Sequence, residues 1–373
     1  MWPYILLVFF PLSYSYLFYE YKRKQLFHKC DYAEIVVRRN KMIIIIFFAL
    51  FFILLCLRDI SIGNDLVQYQ SVFEICQFAS FNELANMNWE WGYTVYNKVI
   101  SFISSEYRVF LIITAAVILY PIYKLYSKEK KFGYLLIVIF LNMPCFLMIF
   151  SGLRQALAIS VGIFVYMALN DKKYVKSVLW LLLAISFHSS AIVLVLLYPA
   201  YFFKIKTKHL LYIAPVSAVI FIFRRQIFTF IINFMPSKYV EFYSEIQQTG
   251  AIGMLLLFLI FTVFSFVVLE ESDMTEKDCF MRNLLLISTL FQFFVPIHGL
   301  IQRASYYFLI FAPVSILSIV QAPKRKLKNI SNAAVAVMSI FFTLYFFYNA
   351  MFSTDNLLGV FPYRFFWSEN IWW

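Results

Sequence analysis

The sequence predicts an all-α, polytopic integral membrane protein, and its composition and hydrophobic pattern carry this prediction. Of its 373 residues, 62% are hydrophobic and 14% are charged, against about 45–50% and about 25% in an average soluble domain. Burial saturates near about 75% of the unfolded surface, so a soluble domain could not hide so much apolar area. The apolar runs lack strict alternation, which favours helical spans over an outer-membrane barrel. Soluble enzymes, nucleic-acid-binding modules and disordered proteins are excluded.

About twelve transmembrane helices are predicted from the apolar runs that charged clusters separate. One joint has two interpretations, because residues 174–203 contain Phe187 to Ser190 in their middle. They form either two short helices that meet at an external turn or a single kinked span. The predicted spans lie near residues 2–19, 42–57, 109–126, 132–150, 152–169, 174–187, 189–203, 209–223, 250–269, 280–297, 304–320 and 330–350.

The distribution of basic residues predicts the orientation of the chain in the membrane. With the amino terminus outside, 23 of the 32 Lys and Arg residues fall in loops assigned to the cytoplasm, whereas the acidic residues divide evenly. Both termini are therefore predicted outside, in a single transmembrane domain over residues 1–373. Within it, residues 58–108 form a long periplasmic loop whose Trp and Tyr content predicts interfacial helices, and residues 351–373 form a periplasmic tail.

Ionisable residues away from the cytoplasmic loops are the candidate functional groups, because a charge at membrane depth costs roughly 2.5–3.5 kcal/mol. Arg154 lies in the first turn of a helix that enters from outside, and Arg303 lies at a similar external helix start. The N-terminus of a helix favours anions, and a guanidinium can hold a phosphate bidentately. These two residues therefore predict an anion site. The alternative is that they, like Arg108, snorkel to lipid headgroups.

Three residues are candidates for a general base: Asp65, Glu90 and His298. Asp65 precedes a predicted helix and could instead be its N-cap. Glu90 lies between two tryptophans, and burial there would raise its pKa and let it act near neutral pH; a solvated glutamate is the alternative. His188 and His298 have the residue type that titrates near neutrality, although a lone histidine can simply hydrogen-bond.

No metal or cofactor is predicted. The cysteines have neither CxxC spacing nor a neighbouring histidine cluster, so a disulfide framework and a zinc site are both unsupported. The sequence contains no GxSxG, HExxH, Walker or DxD motif, which leaves hydrolase, zinc-peptidase, ATPase and metal-dependent nucleotide-sugar chemistry without support. The five cysteines are Cys30, Cys56, Cys76, Cys145 and Cys279.

A series of short motifs runs from residue 58 to residue 363. In order, the motifs are Arg58 with Asn64-Asp65 and Tyr69, Glu90-x-Gly92-Tyr93, Gly152-x-Arg154-Gln155-x-Leu157-Ala158, Phe187-His188-Ser189-Ser190-Ala191, Arg303-x2-Tyr306, and Pro362-Tyr363. This series resembles the EpsG-like family of bacterial exopolysaccharide and O-antigen (Wzy-type) polymerases. One departure is Asn64, where a small residue such as threonine is expected.

The resemblance implies a GT-C-like architecture and glycosyl transfer at the periplasmic side of the bacterial inner membrane. Donor and acceptor would be polyprenyl-diphosphate-linked oligosaccharides, and a chain-length-regulating membrane protein is a candidate partner. The product would be O-antigen of lipopolysaccharide, capsule or exopolysaccharide. Arginines and helix dipoles need no metal, so transfer is predicted to be metal-independent. Residues expected to bind the substrate and its diphosphate are Arg58, Arg154, Gln155, His188, Arg303, Tyr306 and Tyr363.

Two other classes of membrane protein remain open. A lipid-linked glycan flippase or another polytopic transporter would share the helix count, but only nine glycines are present and no long central cytoplasmic loop divides the chain. A membrane O-acyltransferase would use a buried histidine and a cytoplasmic acyl donor. The predicted external position of His188 argues against that donor.

Overall fold

The computed structural model describes residues 1–26, 32–233, 251–268, 274–321, 328–353 and 357–368. Within these ranges the chain is helical, and its one extended pairing is an isolated antiparallel bridge between Arg58 and Phe365. The prediction of an all-α protein is confirmed.

The helices of the described ranges are numbered here along the chain. They are α1 (Trp2–Leu26), α2 (Tyr32–Leu57), α3 (Leu66–Phe78), α4 (Phe81–Ala85), α5 (Trp91–Ser101), α6 (Tyr107–Tyr126), α7 (Gly133–Leu141), α8 (Pro144–Ser151), α9 (Leu153–Asn170), α10 (Tyr174–Phe187), α11 (Leu197–Phe202), α12 (Leu210–Ile222), α13 (Arg224–Ile232), α14 (Ala251–Val268), α15 (Glu276–Phe294), α16 (Gly299–Leu309), α17 (Ala312–Gln321) and α18 (Lys328–Phe352). Three 3₁₀ helices cover Ser189–Leu196, Thr207–His209 and Leu357–Gly359.

Helix length and hydropathy in the described ranges indicate a membrane-embedded protein. Four helices are long and apolar enough to cross a bilayer, and the number rises to seven if each of three bent helix pairs is one span. The four are Glu34–Leu57, Tyr107–Tyr126, Leu153–Asn170 and Asn332–Phe352. Shorter apolar helices are Trp2–Leu17, Tyr174–Phe187 and Ile252–Val268. The membrane class is thus supported, whereas twelve spans and a GT-C architecture stay predictions.

The chain forms two compact units. Unit 1 contains residues 1–168, 173–192 and 335–373, and unit 2 contains residues 169–172 and 193–334. In unit 1, α2 packs against α1, α6 and α7, and α5 packs against α3, α4 and α10. The predicted loop over residues 58–108 is therefore a small helical layer of unit 1. Its position at a membrane surface, and the single-domain organisation, stay predictions.

Loops that the sequence assigns to the same side of the membrane come together within unit 1. The Asn40 side chain donates to the Lys130 carbonyl at 3.0 Å and accepts from the Gly133 N–H at 3.0 Å. Asn40 and Lys130 belong to two loops assigned to the cytoplasm, and Gly133 lies at the start of the next predicted span. Among the residues assigned to the outside, Arg108 donates to the Arg58 carbonyl at 2.7 Å. Unit 1 therefore brings together loops assigned to the same side, and the orientation itself stays a prediction.

Unit 2 is organised around α15, which packs against α11, α14, α16 and α17. The buried Asn283 side chain donates to the carbonyls of Ala200 and Phe203, at 2.8 and 2.6 Å. At the start of α15, Glu276 lies 3.4 Å from the Lys172 ammonium and 3.2 Å from that of Lys204. All three charges come from loops assigned to the cytoplasm, so unit 2 groups its loops as the sequence does.

Candidate functional site

Three residues of unit 1 from distant parts of the sequence form an ion-paired group, called the Glu90 cluster here: Glu90, Arg154 and His188. Glu90 immediately precedes α5, Arg154 is the second residue of α9, and His188 separates α10 from the following 3₁₀ helix. Glu90 Oε2 accepts from Arg154 Nη1 at 2.5 Å, and Glu90 Oε1 lies 2.8 Å from His188 Nδ1. One carboxylate therefore bridges a guanidinium and an imidazole.

The Glu90 cluster is largely shielded from water. The side chains of Glu90, Arg154 and His188 are 17%, 24% and 19% exposed. The Ser189 N–H donates to Glu90 Oε1 at 3.1 Å, so the same carboxylate also satisfies a backbone donor at the start of the 3₁₀ helix. Partial burial strengthens each of these charge-assisted hydrogen bonds.

A close helix approach places Glu90 beside His188. A Cβ atom added to Gly92 would lie 2.2 Å from Ser186 Oγ, so α5 contacts α10 at a distance that only glycine permits. His188 itself is extended, with φ −157° and ψ 120°, and it ends α10. Of the two sequence interpretations of this segment, the structure has separate helical elements on either side of His188. The Glu90-x-Gly92 motif thus contains both the carboxylate and the glycine whose close contact with α10 brings that carboxylate to His188.

Aromatic rings surround the arginine of the cluster. The Arg154 guanidinium lies over the Trp89 ring at 4.1 Å and interacts with the Tyr69 hydroxyl. The rings of Tyr69, Trp89 and Tyr93 contact one another, with centroids 5.7 to 5.9 Å apart. The Arg154 Nε atom is buried and has no hydrogen-bond partner among the residues that the structure describes. One donor of this guanidinium is therefore unsatisfied inside the cluster.

The pKa of Glu90 is shifted in the direction opposite to the sequence-based expectation. Burial alone would raise it, but the hydrogen bond from His188, the Arg154 charge and the Ser189 N–H outweigh burial and hold the pKa far below its ordinary value. The expected raised pKa is wrong because a tryptophan-rich sequence shows the burial and not the distant partners. Glu90 is ionised at neutral pH and is a weak base there.

Asp65 is half-buried and occupies the N-cap position of α3. The predicted N-cap position is confirmed, but the side chain makes no capping hydrogen bond there. Tyr69, one turn later on α3, interacts with Arg154. The Asp65 carboxylate, which lies near the cluster, therefore does not hydrogen-bond the start of α3.

Arg58 lies in a second buried group, called the Arg58 corner here: Arg58, Arg108 and Tyr363. Arg58 is 2% exposed and donates to the Phe150 carbonyl at 2.6 Å. Arg108 donates to the carbonyls of Cys56 and Arg58, so these hydrogen bonds go to main chain rather than to lipid headgroups. The Tyr363 hydroxyl donates to the Leu54 carbonyl at 2.7 Å. The predicted substrate contacts of Arg58 and Tyr363 stay predictions, since both polar groups hold main chain here.

The remaining predicted residue of unit 1, Gln155, is 3% exposed next to Arg154 on α9. The other three, His298, Arg303 and Tyr306, lie in unit 2. His298 is 5% exposed and caps α16, because its Nδ1 accepts the Leu300 N–H at 3.2 Å. Burial lowers its pKa. The lone pair that a base would use is thus already engaged.

Arg303 and Tyr306 both lie on α16. This helix begins at Gly299, so Arg303 lies in its second turn rather than at its N-terminus. The helix-terminus argument for an anion site at Arg303 weakens accordingly, since the dipole effect falls off within the first turn. Tyr306 is 4% exposed. Substrate contact by these residues stays a prediction.

Sequence reasoning missed the pairing at the centre of the site. It treated Glu90 as a possible base and His188 as a substrate contact, although 98 residues separate two side chains that hydrogen-bond. The available signal was their presence in one ordered motif series. Sequence reasoning also missed the contact of Trp89 with Arg154. Within the described residues, no three His, Cys, Asp or Glu side chains come together as a possible metal site.

A comparison with protein families matches residues 41–365 to the EpsG family. This chain belongs to the EpsG family. The predicted resemblance is confirmed, and the matched region contains both the Glu90 cluster and the Arg58 corner. The EpsG family is associated with exopolysaccharide-related polymerase activity, which is glycosyl transfer. Comparisons with curated proteins and with solved structures gave no match.

Proposed function

We propose that this EpsG-family protein lengthens a bacterial surface polysaccharide by joining polyprenyl-diphosphate-linked oligosaccharide units at the periplasmic face of the inner membrane. The family match over residues 41–365 is the observation that carries the proposal. The Glu90 cluster supports it, because a shielded guanidinium, a carboxylate and an imidazole can assist diphosphate departure and proton transfer.

In the proposed reaction, Arg154 stabilises the diphosphate leaving group. Its unsatisfied Nε and its position over Trp89 support this role, since a guanidinium has several N–H donors and can bind a phosphate while Nη1 stays on Glu90. Transfer is proposed to be metal-independent because arginine supplies the charge. The other proposed substrate contacts are Gln155, His188, Arg303 and Tyr306. Substrate contact by Arg58 and Tyr363 stays a prediction from the sequence, because their polar groups bind main chain in the structure.

The proposed reaction needs one group to accept a proton from the acceptor hydroxyl. Asp65, Glu90 and His298 are the candidates from the sequence. The low pKa of Glu90 and the engaged lone pair of His298 count against those two, whereas the Asp65 carboxylate has no capping hydrogen bond.

The proposal includes an orientation and partners. We propose a twelve-span, GT-C-like protein with both termini and the Glu90 cluster on the periplasmic side. The excess of Lys and Arg in one set of loops supports this orientation. Its partners would be the lipid bilayer and a chain-length-regulating membrane protein. The product would be O-antigen, capsule or exopolysaccharide.

Deletion of the gene in its host tests the proposed function. We expect a surface glycan that carries one repeat unit, and restoration of the full chain-length ladder by the plasmid-borne gene. Loss of all glycan would instead favour a flippase, and an unchanged ladder would exclude this protein as the polymerase. A catalytically neutral control is a plasmid carrying Arg364→Ala, because that side chain is exposed.

Reporter fusions test the proposed orientation. Fusions after Lys41, Lys131 and Lys208 should report the cytoplasm, and a fusion at Glu83 should report the periplasm. A cysteine at position 188, labelled by a membrane-impermeant maleimide in intact cells, separates the periplasmic site from an acyltransferase site on the cytoplasmic side. A cytoplasmic signal at Glu83 would overturn the proposed site.

A further inference from the structure

We infer that His188 is the catalytic base of this protein, with Nε2 taking the proton of the acceptor hydroxyl and Glu90 acting as the positioning residue. This inference rests on the proposed function and deepens it. It assigns to His188 the task for which the sequence offered Asp65, Glu90 and His298.

The hydrogen bond to Glu90 selects the tautomer that a base needs. Glu90 is an ionised carboxylate and can only accept, so the Nδ1 atom 2.8 Å away must carry a hydrogen. In a neutral imidazole the lone pair then lies on Nε2. Nε2 makes no hydrogen bond within the described parts of the chain, and the ring is 19% exposed. An acceptor hydroxyl can therefore reach it.

The carboxylate is itself held by two groups besides the histidine, which fixes the imidazole in turn. Arg154 binds Oε2 at 2.5 Å, and the Ser189 N–H binds Oε1 at 3.1 Å. A base that is oriented by a second, immobilised group is the recurring arrangement in acyl-transfer sites. Here the negative carboxylate also stabilises the imidazolium that forms after proton transfer.

The proposed step balances without any further reactant. The acceptor O–H bond breaks and its proton goes to His188 Nε2, while the oxygen forms a bond to the anomeric carbon of the donor. The bond from that carbon to the phosphate oxygen breaks, and its electron pair leaves with the polyprenyl diphosphate. His188 afterwards releases the proton to water.

The surroundings of the ring contain charges of both signs. Glu90 faces it from the start of α5, Arg154 from α9 lies behind Glu90, and the Tyr69 hydroxyl from α3 lies beside Arg154. The negative charge of Glu90 is the nearest of these to the ring.

Two substitutions of His188 separate the base from a hydrogen-bonding role. His188→Asn can keep a donor toward Glu90 but has no atom at the position of Nε2. His188→Ala removes the ring and leaves space for free imidazole. The assay uses the full-length protein in nanodiscs and lipid-linked repeat units extracted from the deletion strain. His209→Asn is the matched control, because His209 Nδ1 only accepts the Lys206 N–H at 3.1 Å.

Both His188 variants should lose about 10²–10⁴-fold in kcat with little change in KM, at normal protein levels. Imidazole should restore activity to His188→Ala, and the restored rate should rise with pH as more imidazole is unprotonated. Glu90→Gln should lose activity too, since one acceptor oxygen cannot serve donors on both sides. His209→Asn should match the wild type.

A near wild-type kcat in His188→Asn, or a His188→Ala loss that imidazole does not reverse, would overturn the assignment. A rise in KM at unchanged kcat would make His188 a substrate contact instead. In each of these cases the wild type still lengthens the glycan, so the polymerase proposal survives. If the wild type itself fails to join units in this assay, the proposed function falls and the inference falls with it.

Discussion

Arg58 and Arg154 both belong to unit 1 and both are largely buried, but their partners differ in kind. Arg58 donates to a main-chain carbonyl, and Arg108 and Tyr363 beside it do the same. Arg154 instead binds a carboxylate that also binds a histidine. Main-chain oxygens carry no net charge, whereas the Glu90 cluster holds ionised side chains that can act on a charged substrate. In this structure the Arg58 corner therefore joins main-chain segments of unit 1, whereas the Glu90 cluster brings charged side chains together.

The largest expected effect is at Arg58. Arg58→Met should lower the free energy of unfolding by about 3 kcal/mol, because it removes a charged hydrogen bond and leaves the Phe150 carbonyl without its donor. Thermal unfolding in detergent measures the change, with the exposed Arg364→Met as the control. Full stability with lost polymer would show that Arg58 acts on substrate, which would break the distinction between the two groups.

Arg154→Lys should give the opposite result, with normal accumulation and about 100-fold less polymerisation. Lysine keeps the charge but loses the planar fork and the stacking on Trp89. Chain-length ladders and an expression blot measure both quantities, and Arg303→Lys beside it tests the predicted role of that residue. A normal ladder in either lysine strain would remove that arginine from the site.

Tyr363→Phe should have a smaller effect, confined to stability. The change removes one hydrogen bond, from the Tyr363 hydroxyl to the Leu54 carbonyl, and should cost about 1 kcal/mol of unfolding free energy. The ladder should stay normal once the amount of protein is matched. A shortened ladder at equal protein would instead place this hydroxyl in contact with the glycan, as the sequence-based prediction has it.

The smallest expected effect is at Asp65. Asp65→Asn should change stability by less than about 0.5 kcal/mol, since no capping hydrogen bond is lost. Polymer should persist if His188 is the base. Loss of polymer at normal protein level would instead identify Asp65 as the base.

The membrane class and the helical content could be predicted because they depend on local composition. The distribution of Lys and Arg predicts the side of the membrane for each loop; two loops assigned to the cytoplasm contact each other through Asn40 and Lys130 in unit 1, and their side stays a prediction. Breaks of a helix inside an apolar run were harder to predict from the sequence. Residues 132–150 were predicted as one span, whereas α7 and α8 meet at a bend of 64° after Asn142 and Met143.

Of the candidate site, the residue types could be predicted but their pairing could not. Burial of Glu90 between tryptophans indicates a raised pKa only if no partner approaches. Arg154 and His188 come from segments 64 and 98 residues away, and their contacts lower the pKa of Glu90 instead of raising it. Helix boundaries had a similar consequence: α16 begins four residues before Arg303, which moves that arginine away from the helix terminus.

The Arg58 corner also determines when unit 1 can be completed during synthesis. The Tyr4 hydroxyl donates to the Val360 carbonyl at 2.7 Å, and Arg58 pairs with Phe365. The ribosome makes these partners only after the whole of unit 2 has been translated. The Arg58 side chain finds its Phe150 acceptor early, but its main-chain bridge to Phe365 must wait until about three hundred further residues have been made. Closure of unit 1 by its C-terminal segment is then a post-translational step.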